Sequence, residues 1–209
     1  MSSTWHRQLI SALAAISVPA LCLDAALPTA AQTPAPVSLA GQLLVASSSM
    51  GDPRFDHTVI LMVRHDKDGA FGIVVNRQIG ERPLAALLEM LGEKETTVAG
   101  TARIFAGGPV QTDIGFIIHS TDYHRPATTD IDGRVALTSS RDILRDIGND
   151  KGPKKSLIAF GYAGWAPGQL EGELVRRAWV TAPADLTLIF DEDRAKVWDA
   201  AYSRRTRDL

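Results

Sequence analysis

Residues 58–65 read TVILMVRH and, after Asp66-Lys67-Asp68-Gly69, residues 70–76 read AFGIVVN. These are two nearly continuous apolar, β-branched runs joined by turn chemistry, the pattern of a β-hairpin. A strand with one face in water alternates apolar and polar side chains. These two do not, so both must be covered on both faces, and the chain has to supply layers on either side of its sheet.

The rest of the sequence supplies them. Residues 43–46 predict a first strand, and residues 103–106, 115–120, 134–137 and 155–162 predict further strands, with turns at Gly107-Gly108-Pro109 and residues 130–133. Pro83 suits a first helical turn, Leu84, Leu87, Leu88 and Leu91 recur at helical spacing, and Gly92 can close the end. Ser139-Ser140-Arg141-Asp142 has capping-box spacing ahead of Ile143, Leu144 and Ile147. Helices are also predicted over residues 168–177 and 193–204, the second burying Val197, Trp198, Ala201 and Tyr202. Strands and helices mix without regular βαβ alternation, which predicts an α+β fold. No internal repeat is present.

The first thirty or so residues differ from this pattern. His6 and Arg7 precede an apolar stretch over residues 9–23, and a small, Pro-rich tail runs on to Pro36. This is the layout of a secretory signal peptide, with Thr29 and Ala31 as small residues before a cleavage at Gln32; the competing reading is a disordered N-terminal extension. The organisation expected is a leader over 1–31, a linker over 32–38 and a single domain over 39–209. Leu21 stands where a lipoprotein signal needs a small residue before Cys22, and the apolar stretch is short for a membrane span, so no stable membrane anchor is expected after cleavage. Localisation is then periplasmic or secreted; with an uncleaved extension it is cytoplasmic. Cys22 is the single cysteine, so the chain from Gln32 onward has no thiol for disulfides, nucleophilic catalysis or metal binding.

Motifs for known chemistry fail on inspection. Residues 148–156 resemble a phosphate loop, but the spacing is one residue short, Pro153 follows the second glycine, and a strand comes next. The Asp-x-Asp-Gly turns at residues 66–69 and 130–133 lack the glutamate that completes a calcium loop. His119, Asp122 and His124 offer two imidazoles and a carboxylate without a fourth ligand nearby, so no metal is assigned. There is no G-x-S-x-G elbow and no H-E-x-x-H helix, no catalytic residue is named, and no cofactor is expected. The formal charge of −2 gives no general attraction to nucleic acid.

The most informative segment is residues 160–173, FGYAGWAPGQLEGE, where glycines, aromatics and acids crowd a strand-to-helix transition. Glycines there either admit a ligand to the backbone or only permit the turn. With Asn76, Gly107 and Gly108, the residues Tyr162, Trp165, Gln169 and Glu171 form the candidate ligand-binding set.

Residues 39–202 resemble the AlgH family of bacterial proteins. The resemblance rests on the order and spacing of Asp52-Pro53-Arg54-Phe55 with Thr58-Val59, GIVVNR at 72–77, Gly107-Gly108-Pro109-Val110, GFIIH at 115–119, TSSRD at 138–142, residues 161–173, and Trp179 with Ala184-Asp185. It implies a bifurcated mixed sheet curled into a pseudo-barrel with flanking helices. It carries no assigned catalytic residues or cofactor, and the family's name reflects a proposed role in regulating alginate synthesis. Gln78 departs from the Pro usual in the family, and the leader departs from the family's usual cytoplasmic setting.

Two functional classes follow. One is a non-enzymatic regulatory or accessory domain binding a small molecule or a protein. The other is an enzyme, for instance a hydrolase using His119 with Glu171 or Asp185 as acid and base. Direct nucleic-acid binding would need Arg141, Arg145, Lys151, Lys154 and Lys155 to form one face, and is not expected. The leader has a direct test: protein recovered from its native host is expected in the periplasmic fraction with an intact mass starting at Gln32, whereas a full-length cytoplasmic chain removes the leader reading.

Overall fold

The computed structural model describes residues 37–93 and 97–206. The leader and residues 32–36 of the linker expected from the sequence lie outside the described residues. Ten strands form: β1 (Gln42–Ala46), β2 (Val59–Asp66), β3 (Gly69–Val74), β4 (Gln78–Pro83), β5 (Thr101–Ala106), β6 (Val110–Ser120), β7 (Thr128–Asp130), β8 (Val135–Thr138), β9 (Ser156–Trp165) and β10 (Trp179–Pro183). Four helices accompany them: α1 (Leu84–Met90), α2 (Asp142–Gly148), α3 (Gln169–Val175) and α4 (Val197–Ser203). A 3-10 turn spans Pro53–Phe55 and a π-helical turn spans Thr187–Asp191.

The sheet runs β10-β1-β2-β3-β9-β6-β8-β7 and forks at β9. The first half of β9 pairs antiparallel with β6 and parallel with β5, while Ala163, Gly164 and Trp165 pair with β3. β4 flanks β5. The sheet is therefore bifurcated and mixed, and it curls into a half-barrel as the family resemblance implies. Arg134, next to the β7–β8 turn, donates Nη1–H to the Ala184 carbonyl beyond β10 at 2.8 Å, tying the two free ends together.

Both faces are covered. Leu43, Val45, Val59, Leu61, Ile73 and Val75 point inward, against Leu188, Ile189 and Phe190 of the π-helical turn and Val197 and Ala201 of α4. Leu44, Ile60, Met62 and Val74 point outward into a second core with Leu170 of α3. A third core forms where Leu84, Leu87 and Leu88 of α1 and Ile143 and Leu144 of α2 cover Ile104, Ile117 and Ile158. Successive residues of β2 thus serve opposite cores, which is why TVILMVRH has so little alternation.

The fork is a crossing of bare backbones. Gly107 N–H donates to Phe160 O at 2.7 Å, and Gly107 O accepts from Val74 N–H at 2.8 Å. A Cβ on Gly108 would sit 2.0 Å from the Tyr162 carbonyl carbon, and one on Gly161 would sit 2.4 Å from Gly108 O. Gly161 has φ +75° and resets the alternation of β9. Before it, Leu157 and Ala159 face the inner core; after it Tyr162 does, while Ala163 and Trp165 turn outward toward α3.

The structure differs from expectation in detail. β4 is a polar edge strand with every residue at least partly exposed, β7 has three residues, and β10 follows a helix without a clear break; none was predicted. Pro83 ends β4 and precedes α1 instead of entering its first turn. The capping box at Ser139 does not form: Arg141 is the N-cap, and Ser140 Oγ accepts from Asp142 N–H at 3.3 Å, so α2 starts later.

Gly161 and Gly168 share a left-handed φ, +75° and +74°, but a Cβ on Gly168 meets nothing within 4 Å. In urea denaturation Gly168→Ala is expected to cost about 1 kcal/mol, the conformational penalty alone. Gly161→Ala is expected to cost at least about 3 kcal/mol or to prevent folding, because backbone must move. Equal losses would mean that the crossing tolerates a side chain.

Candidate functional site

The seven residues singled out from the sequence do not share one surface. Asn76 is a loop clamp: its Oδ1 accepts from Val59 N–H and its Nδ2 donates to His57 O, both at 2.9 Å. Arg77 beside it donates to the carbonyls of Arg54 and Asp56, so the pair holds the 3-10 turn against the sheet. Gly107 and Gly108 lie in the backbone crossing. Gln169 accepts from Ala166 N–H and donates to Glu173, at the start of α3.

Glu173, which the sequence reading passed over, is the centre of that segment. Its Oε2 accepts from the indole N–H of both Trp165 and Trp179, at 2.9 and 2.7 Å. Both indoles are buried, so one carboxylate satisfies two donors that would otherwise be stranded. Glu171 faces the other way, toward His65. Leu39 N–H donates to His65 Nδ1 at 3.2 Å, which leaves the ring proton on Nε2, pointing at Glu171 Oε1 3.0 Å away. The Glu171 carboxyl is held below its ordinary pKa, first by its own backbone N–H and then, against the opposing effect of burial, by His65.

His119 is fully buried. Its Nδ1 lies 2.9 Å from the Ser120 carbonyl, which can only accept, so the proton sits on Nδ1. Nε2 then accepts from Thr138 Oγ1 at 2.9 Å, Thr138 Oγ1 accepts from Thr128 Oγ1 at 2.7 Å, and Thr128 Oγ1 accepts from Arg125 N–H at 3.0 Å. Burial pushes the His119 pKa down; the Ser120 carbonyl and the Asp122 charge offset this only partly. Asp185 accepts from Thr187 N–H and pairs with Arg204. His119, Glu171 and Asp185 therefore each have a separate set of partners. Among the basic residues, Arg141 and Arg145 both pair with Glu93, and Lys155 pairs with Asp191.

What the structure does bring together is the open mouth of the half-barrel, a groove of about 800 Å³. Phe71, Phe116 and Tyr162 form its floor, with ring centroids 4.9 Å apart for Phe71–Tyr162, 5.5 Å for Phe71–Phe116 and 6.2 Å for Phe116–Tyr162. All three are only half-buried, and they extend the inner core outward. Val63 and Leu137 join the floor, and Arg64, Gln111 and Thr129 stand at the rim. The Arg64 side chain is 61% exposed, with one loose contact to Asp66 at 3.5 Å, leaving its guanidinium open to a ligand. Of the predicted residues, Tyr162 and Trp165 line this groove. Phe71 and Phe116 read in the sequence as strand core, but both adjoin a glycine, as Tyr162 does: Phe71-Gly72, Gly115-Phe116 and Gly161-Tyr162. An aromatic beside a glycine in an aliphatic strand was the available signal.

Comparison with known proteins gives a consistent picture. A family profile described as AlgH-like matches residues 43–209. A UPF0301 protein of Sphingopyxis alaskensis is 44% identical over 170 residues, covering 81% of this chain and 90% of that protein. A UPF0301 protein of Bradyrhizobium diazoefficiens is 43% identical, covering 84% and 86%. The solution structure of the AlgH protein from Pseudomonas aeruginosa superposes with a TM-score of 0.70 at 41% identity, covering 81% of this chain and 89% of that one.

The neutral, buried His119 has a consequence for stability. Its folded-state pKa lies below the unfolded value, so above about pH 6.5 both states are neutral at this site and it contributes no pH dependence. Below that, the unfolded chain takes up a proton that the folded chain refuses, and stability falls as pH falls. Urea denaturation between about pH 6.5 and 5.5 is expected to show a loss of up to about 1.4 kcal/mol per unit from this residue. His119→Gln should lower stability at all pH values and remove that part of the slope; an unchanged slope would place its origin elsewhere.

Proposed function

Since the chain belongs to the AlgH-like family, which brings no assigned reaction, we propose that it is a non-enzymatic binding domain, regulatory or accessory in role, whose ligand seats in the mouth of the half-barrel. The observation that carries this reading is the aromatic floor of Phe71, Phe116 and Tyr162, left half-exposed at the end of an otherwise filled core. Concave, mostly apolar surfaces with a few polar groups at the rim are where small ligands bind, and barrel mouths are a recurrent place for them. Arg64 gives the rim a cation for an acidic group, and the rings favour a flat apolar body.

The non-enzymatic part is supported by the partners of the acid and base candidates. A general base needs a lone pair directed at substrate. Of those candidates, His119 Nε2 is occupied by Thr138 Oγ1, Glu171 faces the His65 ring, and Asp185 is held by Thr187 N–H and Arg204. If the leader is removed at Gln32 the domain acts outside the cytoplasm, which favours an accessory role over direct control of transcription. No helix among the described residues is long and apolar enough to cross a membrane.

Naphthoate serves as the probe. Titration followed by amide chemical shifts is expected to give saturable changes at Phe71, Phe116 and Tyr162. Phe71→Ala should weaken binding by roughly tenfold, about 1.4 kcal/mol. Affinity that ignores this substitution would remove the mouth as the site. Turnover of a nitrophenyl ester that His119→Gln abolishes would replace the binding reading with the hydrolase.

A further inference from the structure

A cavity of about 910 Å³ opens beside β10, between α3 and the end of α4, and shares no lining residue with the mouth. Thr181 lines it and is buried, and among the described residues its hydroxyl has no hydrogen-bond partner. β10 ends the sheet, paired with β1 alone. Ser47 N–H donates to Ala178 O, so by alternation Ala178 and Val180 face β1, while Trp179 and Thr181 turn their backbone groups away from it. The Thr181 carbonyl accepts from Thr206 N–H at 2.8 Å, but the Thr181 N–H finds no partner among the described residues. Stranded donors are costly in a folded protein, and here two sit on one buried residue at the wall of a cavity.

The other walls fix the sign of what can fill it. Arg205 lies over the Tyr202 ring at 4.4 Å and donates Nη1–H to the Tyr202 carbonyl at 2.9 Å. Its guanidinium is thereby held in place, while Nε and Nη2 have no partner among the described residues. Arg177, exposed just beyond α3, also has no acidic partner among them, and it keeps a left-handed φ of +56° where glycine or asparagine is usual. Ser48 adds an exposed hydroxyl. The acid in the walls is Glu171, which already directs Oε1 at His65 Nε2. Two unpaired cations and two stranded donors therefore call for an anion.

A carboxylate can satisfy one guanidinium in a two-point pair. A phosphate carries three free oxygens and up to two charges, enough for both arginines and the Thr181 donors together. Leu174 and the Tyr202 ring continue the walls beyond them, leaving room for an organic group on the fourth oxygen. We propose that this cavity binds a phosphate monoester. Arg177 and Arg205 flank the phosphate, one oxygen accepts from the Thr181 N–H and hydroxyl, and the organic group lies along Leu174.

The test uses the full chain with propyl phosphate, inorganic phosphate and butyrate as probes, read by amide chemical shifts above about pH 7, where the phosphates are mostly dianions. Propyl phosphate is expected to saturate, shifting Ser48, Thr181 and Thr206, and to bind about tenfold more tightly than butyrate and about threefold more tightly than inorganic phosphate. Arg177→Gln and Arg205→Gln should each weaken it by about tenfold. Thr181→Val should weaken it by about fivefold and leave the urea midpoint unchanged or raised, because the hydroxyl has no internal bond to lose. Phe71→Ala, in the mouth, should leave propyl phosphate binding unchanged. The proposal is overturned if propyl phosphate does not saturate, if butyrate or inorganic phosphate binds as tightly, if both arginine variants keep the affinity, or if the shifts map to Phe71 and Tyr162 and vanish in Phe71→Ala. A lowered urea midpoint in Thr181→Val would mean that the hydroxyl is bonded within the protein, and would overturn it equally.

Discussion

The fork at β9 rests on three glycines whose missing side chains let two backbones touch. Gly107 and Gly108 at the end of β5 run against Gly161 and Tyr162, with carbonyl oxygens where any other residue would place Cβ. Hydrogen bonds from Gly107 to Phe160 and from Val74 to Gly107 then bind the ends of β3 and β5 and the middle of β9 in one place. Without that contact β9 could not leave β5 and join β3, and the sheet would stay a single layer with no interior. The left-handed Gly161 performs a second task by resetting which side chains of β9 face inward. The inward position of Tyr162, and with it the aromatic floor, follows from one backbone angle.

Several buried polar groups among the described residues find their partners inside the protein. Tyr123 and Arg125 both donate to the Asp146 carboxylate, which stays below its ordinary pKa although burial acts to raise it. His119 closes a chain of hydrogen bonds through two threonines, joining β6, β8 and β7. Such networks hold strands in register. Arg194 follows the same rule with an unusual partner set. Its guanidinium donates to the carbonyls of Val75, Ile189 and Glu192, so the π-helical turn that fills the half-barrel is pinned to the end of β3.

Much of the fold was legible because local pattern and burial agree. The runs at 58–65 and 70–76 lack alternation, and the structure covers them on both faces; the helical spacing of Leu84, Leu87 and Leu88 buries one side of α1. β4 was illegible since an edge strand need not be apolar, and Gln-Ile-Gly-Glu-Arg-Pro reads as a loop. The site was less legible for a different reason. His65 meets Glu171 across 106 residues and Trp198 reaches the Ala46 carbonyl across 152, and no local feature announces either contact. The glycine-rich segment supplies Tyr162 to the groove, but its polar residues mostly brace α3, while the other two aromatics that open to solvent come from β3 and β6.

The groove of the mouth and a smaller aliphatic pocket of about 480 Å³, between α1, α2 and the β6–β9 pair, have a common origin in β6. Between Val110, opposite Tyr162, and Gly115, opposite Phe160, β6 advances five residues while β9 moves back two. The excess loops out as residues 111–114, all exposed. Val110 and Gln111 then wall the mouth, and Asp113 and Ile114 wall the aliphatic pocket. Had the ladder continued in register, those residues would lie along β9 and neither concavity would have that wall. A long irregularity inside a central strand sacrifices ladder hydrogen bonds, and bulges of this kind concentrate where a fold re-aims side chains for use. Here it re-aims them to both sides of the sheet at once, which makes residues 111–114 the segment on which the shape of both cavities depends.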